Sequence, residues 1–336
     1  MDKREKQYHL TRIISGSWIY QKDGLTFITK LPSREHRLLG ELVYNNTYEN
    51  AIYQGLLDEE GLLKFLLKQK IWNKDKDKEL EELKTGLENA KVALFSSQLN
   101  TQKQSQHRSQ IEASRKRIDE LSTQRHQYDY LSAAYVGFLA RAKFLVGCGT
   151  TVNGSPYWSN PLVDTSLPDS SIEYLFSRIN RDTLSESQLR QLAKSDDWRN
   201  MYNIKGDVFG KCIADLTEEQ RSILLWSQMY ENISGHPEAP SDTVINDDDM
   251  SDGWIILQRR QKEKGQNESS LEKMLGANAD KGECFVITDR ENAHKVYDSN
   301  DMQARMALKE RQKFLQEKGS VDETYMPDTQ LKLRMQ

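Results

Sequence analysis

Between Asp58 and Phe144 the chain carries no proline, and its apolar residues recur at helical spacing. Leu80, Leu83, Leu87, Ala90 and Leu94 follow one another at steps of three and four. After a polar gap, Ile111, Ile118, Leu121, Tyr128 and Leu131 or Ser132 continue a similar stripe. Such a stripe predicts helices that bury one face. The gap, residues 97–106, has Leu99 as its one large apolar side chain. It predicts the tip of an antiparallel helical hairpin that turns near Asn100 and Thr101 and returns from about Arg108 to Val146. The alternative, a single unbroken helix, would reach about 100 Å at 1.5 Å per residue.

The flanking regions predict a small β element and a helical body. Trp18-Ile19-Tyr20 and Leu25-Thr26-Phe27-Ile28 are β-rich runs parted by Asp23-Gly24, a hairpin signal. Met1 to His9 is charged and polar, without the apolar run of a signal peptide. Pro32 and Ser33 open a helix whose apolar face includes Leu38, Leu42, Tyr44, Tyr48 and Tyr53. Asp58 caps the next, and Gly147 to Gly149 stop the hairpin's second arm, with a turn at Asn153 to Pro156. Ser185 with Gln188 and Thr217 with Gln220 fit the capping box. Residues 236–253 read as an acidic loop, residues 258–280 as mobile or helical, residues 283–287 as the one late strand and residues 289–318 as a charged helix.

The fold class expected is therefore mainly α with a small β element, a projecting, coiled-coil-like antiparallel helical hairpin standing on a helical body. Four segments follow: a mixed N-terminal region 1–57, the hairpin 58–146, the helical body with its acidic loop 147–257, and the charged C-terminal segment 258–336.

Composition sharpens this picture. Charged residues make up 29% of the 336 residues and hydrophobic ones 37%, which favours extensive exposed helical surface. A net charge of -4 supplies no strong field to recruit nucleic acid or an anionic membrane. No apolar run approaches the roughly 20 residues that span a bilayer. Cys148, Cys212 and Cys284 are far apart and odd in number, which points to free thiols in a reducing compartment.

Candidate chemistry is sparse. Set on the calcium-loop template, Asp248 falls at the first position, Asp252 at the fifth and Gly253 at the sixth. Met250 and Arg259 then occupy the third and twelfth, where oxygen ligands are needed, so the template fails. A magnesium site needs only one or two of these carboxylates, which would open a third class, a magnesium-dependent enzyme. No HExxH and no G-x-S-x-G occurs, and the glycines at 147, 149 and 154 miss the phosphate-loop spacing. The second arm carries Arg108, Arg115, Lys116, Arg117 and Arg125, interleaved with Glu112, Asp119 and Glu120. Mixed signs describe a solvated helix face better than a nucleic-acid stripe.

The order of these parts, with Ser222-Ile223-Leu224-Leu225-Trp226-Ser227 and the Asp247-Asp248-Asp249-x-x-Asp-Gly-Trp254 element, resembles uncharacterised proteins of tailed bacteriophages over most of the chain. That resemblance implies a non-enzymatic structural or assembly protein of the tail, baseplate or neck, in the virion or the host cytoplasm. The expected partners are other structural proteins of the particle or a second copy of the chain, with no cofactor. The alternative is a nucleic-acid or polymerase-associated phage factor. Leu80, Leu83, Leu87, Leu94, Ile111, Ile118 and Leu121, with Asp247, Asp248, Asp249 and Trp254, are the candidate interaction residues; no catalytic, cofactor or metal residue is assigned.

Overall fold

The computed structural model describes residues 1–161, 169–205, 208–275 and Lys309. The protein is mainly helical with one small four-stranded antiparallel sheet. Residues Met1–Trp254 form one compact unit and Ile255–Gln336 a second. The candidate strand at 283–287, the candidate helix at 289–318 and Cys284 lie outside the described residues. Among the described residues, no helix is long and apolar enough to cross a membrane.

Helix α1 (Lys3–Ser15) occupies the polar N-terminal stretch. Its signal is a capping box: Asp2 accepts from the Glu5 N–H at 2.7 Å, and Glu5 accepts from the Asp2 N–H at 2.9 Å. Polarity hid the helix because only Leu10, Ile13 and an ion-paired Arg12 are buried. Strands β1 (Ser17–Lys22) and β2 (Leu25–Lys30) form the expected hairpin. Asp23 and Gly24, both at positive φ, make the turn whose twist suits the strands.

Helix α2 (Arg34–Tyr53), capped by Ser33, and α3 (Glu59–Lys68), capped by Asp58, follow as the caps predict. Next come α4 (Lys74–Ser96) and α5 (Thr101–His126). They run antiparallel, since Glu79 meets Arg117 at 2.7 Å and Lys76 meets Gln124 at 3.1 Å. Their link is Ser97 to Asn100, and Asn100 caps α5 by accepting from the Lys103 N–H. This cap starts the return helix earlier than the apolar stripe does.

The second arm does not run on to Val146. It stops at His126, passes a 3-10 turn at Asp129–Leu131, and restarts as α6 (Ala133–Gly149). The interruption is tertiary: Leu57 donates its N–H to the Leu131 carbonyl, and the Leu57 carbonyl accepts from Ala133. Ser132 then caps α6. Helix α6 packs antiparallel on α2, with Arg141 on Glu41 at 2.7 Å and the Tyr44 ring against Gly137. It leads into two short strands that the sequence reading missed, β3 (Thr150–Val152) and β4 (Ser155–Pro156). They extend the sheet in the order β1-β2-β3-β4, with Phe27 opposite Val152 and Thr29 opposite Thr150. Three-residue and two-residue strands carry too little alternation to read.

The body comprises α7 (Ser170–Asp182), α8 (Glu186–Ala193), α9 (Asp196–Lys205) and α10 (Glu218–Ser234). Both predicted capping boxes are present, at Ser185 and Thr217. Short α11 (Asp242–Asn246) and long α12 (Asp248–Leu275) complete the described fold. The acidic run is thus helical rather than a loop, for the capping reason given below.

Among the described residues, three apolar clusters hold the first unit. Tyr20 and Phe27 of the sheet pack on Ile172 and Leu175 of α7. Leu62, Leu66 and Trp72 pack on Leu121 at one end of the α4–α5 pair. At the other end, Leu94 and Ile111 pack on Val244 and Met250. A buried ion pair ties α1 to α10: Arg12 meets Glu219 in a two-pronged contact at 2.5 and 2.7 Å. Glu219 also accepts the Leu184 N–H.

Helices α4 and α12 cross at backbone contact. A Cβ on Gly253 would stand 2.1 Å from the Lys91 carbonyl oxygen, so only glycine fits there. Replacing Gly253 with alanine is expected to destabilise the protein by about 1–3 kcal/mol through overpacking. The matched control, Gly86→Ala in α4, meets open space and should stabilise by about 0.5–1 kcal/mol. Urea denaturation of the two variants tests the contrast; equal shifts would refute the close approach.

Candidate functional site

The acidic run forms the start of α12. Asp247 precedes the helix, and its Oδ1 accepts from the N–H groups of Asp249 and Met250, each at 3.0 Å. It therefore satisfies donors that helix geometry leaves open, and negative charge there suits the helix dipole. Four carboxylates within six residues would still repel one another strongly without counter-charges.

Cations from three other helices supply them. Asp247 meets Arg108 at 2.7 Å and Asp249 meets Arg115 at 2.5 Å, both from α5. Asp252 meets Lys91 of α4 and Arg190 of α8, each at 2.6 Å. Asp248 meets Lys194, one residue beyond α8, at 2.6 Å and accepts from the Tyr230 hydroxyl at 3.3 Å. The Arg190 guanidinium lies 3.8 Å above the Trp226 ring centroid and is almost wholly buried. An aromatic floor and a carboxylate on the same guanidinium leave it one favoured orientation.

The clamp shifts its own titrations. Burial alone would raise the Asp247 carboxyl. The Met250 N–H, the Arg108 contact and the Asp249 N–H outweigh it and hold the pKa below the usual carboxylate range. Burial, then the neighbouring Asp248 charge, pushes the Tyr230 hydroxyl up. Elsewhere, burial pushes the Cys148 thiol up to about 11, so it is protonated at neutral pH.

The apolar candidates turn inward within the chain. Leu94 and Ile111 are buried against Val244 and Met250, with Leu87 at their margin. Leu121 is buried at the opposite end, with Leu80 and Leu83 packed around it. Ile118 is half-buried. Trp254 is buried and meets His236 edge-on at 5.2 Å. The structure thus brings Leu94 and Ile111 together with Asp247, Asp248 and Asp249 in one site, where α4 and α5 meet the start of α12. Leu80, Leu83 and Leu121 belong to the other end.

Sequence reasoning missed Lys91, Arg190 and Lys194. Arg190 and Lys194 do show a signal, two cations one turn apart at the basic end of α8. Nothing in the sequence tells which acids they meet. Met250, a misfit at a ligand position of the calcium template, is a core contact here.

Beside the clamp lies a cleft of about 540 Å³ between α8, α9, α10 and α11, within the size range of small-molecule pockets. Arg199, Tyr202, Asn203, Glu231 and Asp242 line it, with Lys194 at its clamp side. Its serine hydroxyls are committed: Ser227 accepts from Trp198 Nε1 at 2.7 Å and donates to the Ile223 carbonyl, and Ser234 donates to the Tyr230 carbonyl. Among the described residues, no three His, Cys, Asp or Glu side chains converge as metal ligands.

Two variants test the clamp. Asp252→Ala leaves Arg190 buried without its nearest carboxylate and should cost about 3–5 kcal/mol in urea unfolding. Asp247→Asn keeps the cap and loses the charge. Because the folded pKa of Asp247 is depressed, its contribution is complete above the unfolded value, about 3.9, and is lost as pH falls through the folded one. The stability gap between wild type and Asp247→Asn should be constant near neutrality and close at acidic pH; a gap that persists at low pH would refute the charge contribution.

No protein-family model, curated protein or solved structure matches this chain.

Proposed function

We propose that this is a non-enzymatic structural or assembly protein that works by helix-mediated docking onto other proteins. The particle setting, a tailed-phage tail, baseplate or neck, comes from the resemblance in element order. The observation that carries the docking reading is an apolar stripe on the solvent side of α2. Leu38, Leu42 and Tyr53 are 72%, 55% and 93% exposed. Gly40 and Tyr44 face α6, so Leu38 and Leu42, each two residues from Gly40, lie on the far side at 3.6 residues per turn. Exposed apolar residues grouped on one face mark interaction surfaces more often than singly scattered ones do. The turn of the α4–α5 pair adds Leu99, fully exposed at the tip.

The rival reading, a nucleic-acid-associated factor, loses support from the clamp. Arg108 and Arg115, the cations that would touch phosphates, are spent on Asp247 and Asp249 respectively. Arg117 is likewise paired with Glu79.

Light scattering after size exclusion, with cross-linking on assembled particles, tests the docking reading. Leu38→Asp with Leu42→Asp should abolish association while leaving the melting temperature within error, since both side chains are already in water. A wild-type chain that stays monomeric and yields no α2 cross-links would refute it. Filter binding across salt should give at most a shallow slope; a steep one would favour the rival.

A further inference from the structure

Strand β1 is an edge strand, since the sheet order is β1-β2-β3-β4. Its free side can be read from the register. Lys22 opposes Leu25 across the two-residue turn, which makes that a hydrogen-bonded pair, and such pairs alternate along an antiparallel ladder. Trp18, Tyr20 and Lys22 therefore bond to β2. Ser17, Ile19 and Gln21 turn their N–H and C=O groups away from β2; Ile19 and Gln21 are exposed there, while Ser17 is buried. On the opposite edge of β2 the phase agrees, because the Thr26 carbonyl accepts from Asn153 beyond β3. No backbone hydrogen bond to Ser17, Ile19 or Gln21 from outside β1 and β2 occurs among the described residues.

Helix α1 borders this edge. Gly16, at φ 61°, reverses the chain, and the Arg12 guanidinium then lies 5.6 Å from the Trp18 ring centroid. A cleft of about 160 Å³ opens between the two elements. On α1 its wall includes Tyr8, Thr11 and Ser15, at helical spacing. On β1 it is four consecutive residues, Ser17 to Tyr20. Successive strand residues face opposite sides of a sheet, so four in a row place the cleft along the strand's edge. Tyr8 and Ile19 are 58% and 61% exposed, and Trp18 Nε1 is buried without a hydrogen-bond partner among the described residues.

We propose that this edge binds an extended acidic segment of a partner protein by strand addition. Outward N–H and C=O groups at alternate residues are complemented by the backbone of another strand. The cleft matches the size of a cavity of about 150 Å³ that accepts a benzene ring, so it takes one apolar side chain of the segment. Charge selects the rest. Arg4 forms no ion pair among the described residues and sits one turn before Tyr8 on the same face of α1, whereas Lys3 and Lys6 lie off that face. Arg4 gives the rim one positive charge on a chain whose net charge is -4. A thin extended segment suits the site better than the edge of a second folded sheet, because α1 flanks the strand. This surface is separate from the α2 stripe, and its failure would leave the helical docking reading standing.

The probe is a fluorescein-labelled synthetic peptide of alternating valine and threonine with two aspartates at one end, added to the full chain and followed by anisotropy. Saturable binding is expected, with a loss of roughly tenfold or more when alternate peptide amides are N-methylated or when the aspartates become lysines. Ile19→Pro removes an outward N–H without touching the β1–β2 ladder and should weaken binding to a similar degree; Tyr8→Ala tests the cleft. Hydrogen exchange at the Ile19 and Gln21 amides should slow when the peptide is bound. If Ile19→Pro fails to fold, the comparison of plain and N-methylated peptide on the wild-type chain decides. Absence of saturable binding, or equal binding by the N-methylated peptide, overturns the proposal.

Discussion

Four carboxylates crowd the start of α12, and much of the first unit is arranged to neutralise them. The helix end itself favours negative charge, but only to the extent of its dipole. Lys91, Arg108, Arg115, Arg190 and Lys194 supply the rest, from elements far apart in the chain. Each of these contacts binds a helix to the same short segment. The α4–α5 pair is held by its Leu94–Ile111 end, and α8 is held to it through Asp248 and Asp252. Removing Asp252 strands Arg190, a cation that has lost nearly all of its water, which makes the cluster more sensitive to that single change than its exposed members suggest.

A second polar node works in the same way at the other side of the unit. Arg12 and Glu219 are both almost wholly buried, and the Leu184 N–H completes the carboxylate. Gln220 beside it closes the capping box of α10 and donates to the Ile13 carbonyl at 2.7 Å. These two nodes join α1, α10 and the chain before α8, so the N-terminal helix is fixed even though little of its surface is apolar. Apolar clusters supply the burial, and the ionic nodes choose which helices meet.

This use of charge bears on function. The acidic run could have been a metal site and the basic arm a phosphate-binding face. In the folded chain the two largely neutralise each other across the α5–α12 contact. Two surfaces left open among the described residues are apolar or backbone in character: the α2 stripe, and the open edge of β1 beside α1. Both are the kind of surface that another protein chain completes, which is why the functional reading turns on docking.

Much of the architecture was legible along the chain. Ser33, Asp58, Ser185 and Thr217 cap the helices they precede, and Asp23-Gly24 turns the hairpin, because these signals are local. The stripe from Leu80 to Leu121 correctly marks two helices that bury one face. Tertiary contacts decided the rest. Leu57 breaks the second arm at Leu131 and Ser132, a contact between residues far apart in the sequence. Strands β3 and β4 exist because β2 offers them an edge, not because three residues prefer to be extended. The acidic run reads as a loop in sequence since a string of aspartates resists helix formation; the cap at Asp247 and five distant cations make it a helix start. A sequence records where charges lie, but only the fold brings opposite charges within bonding distance.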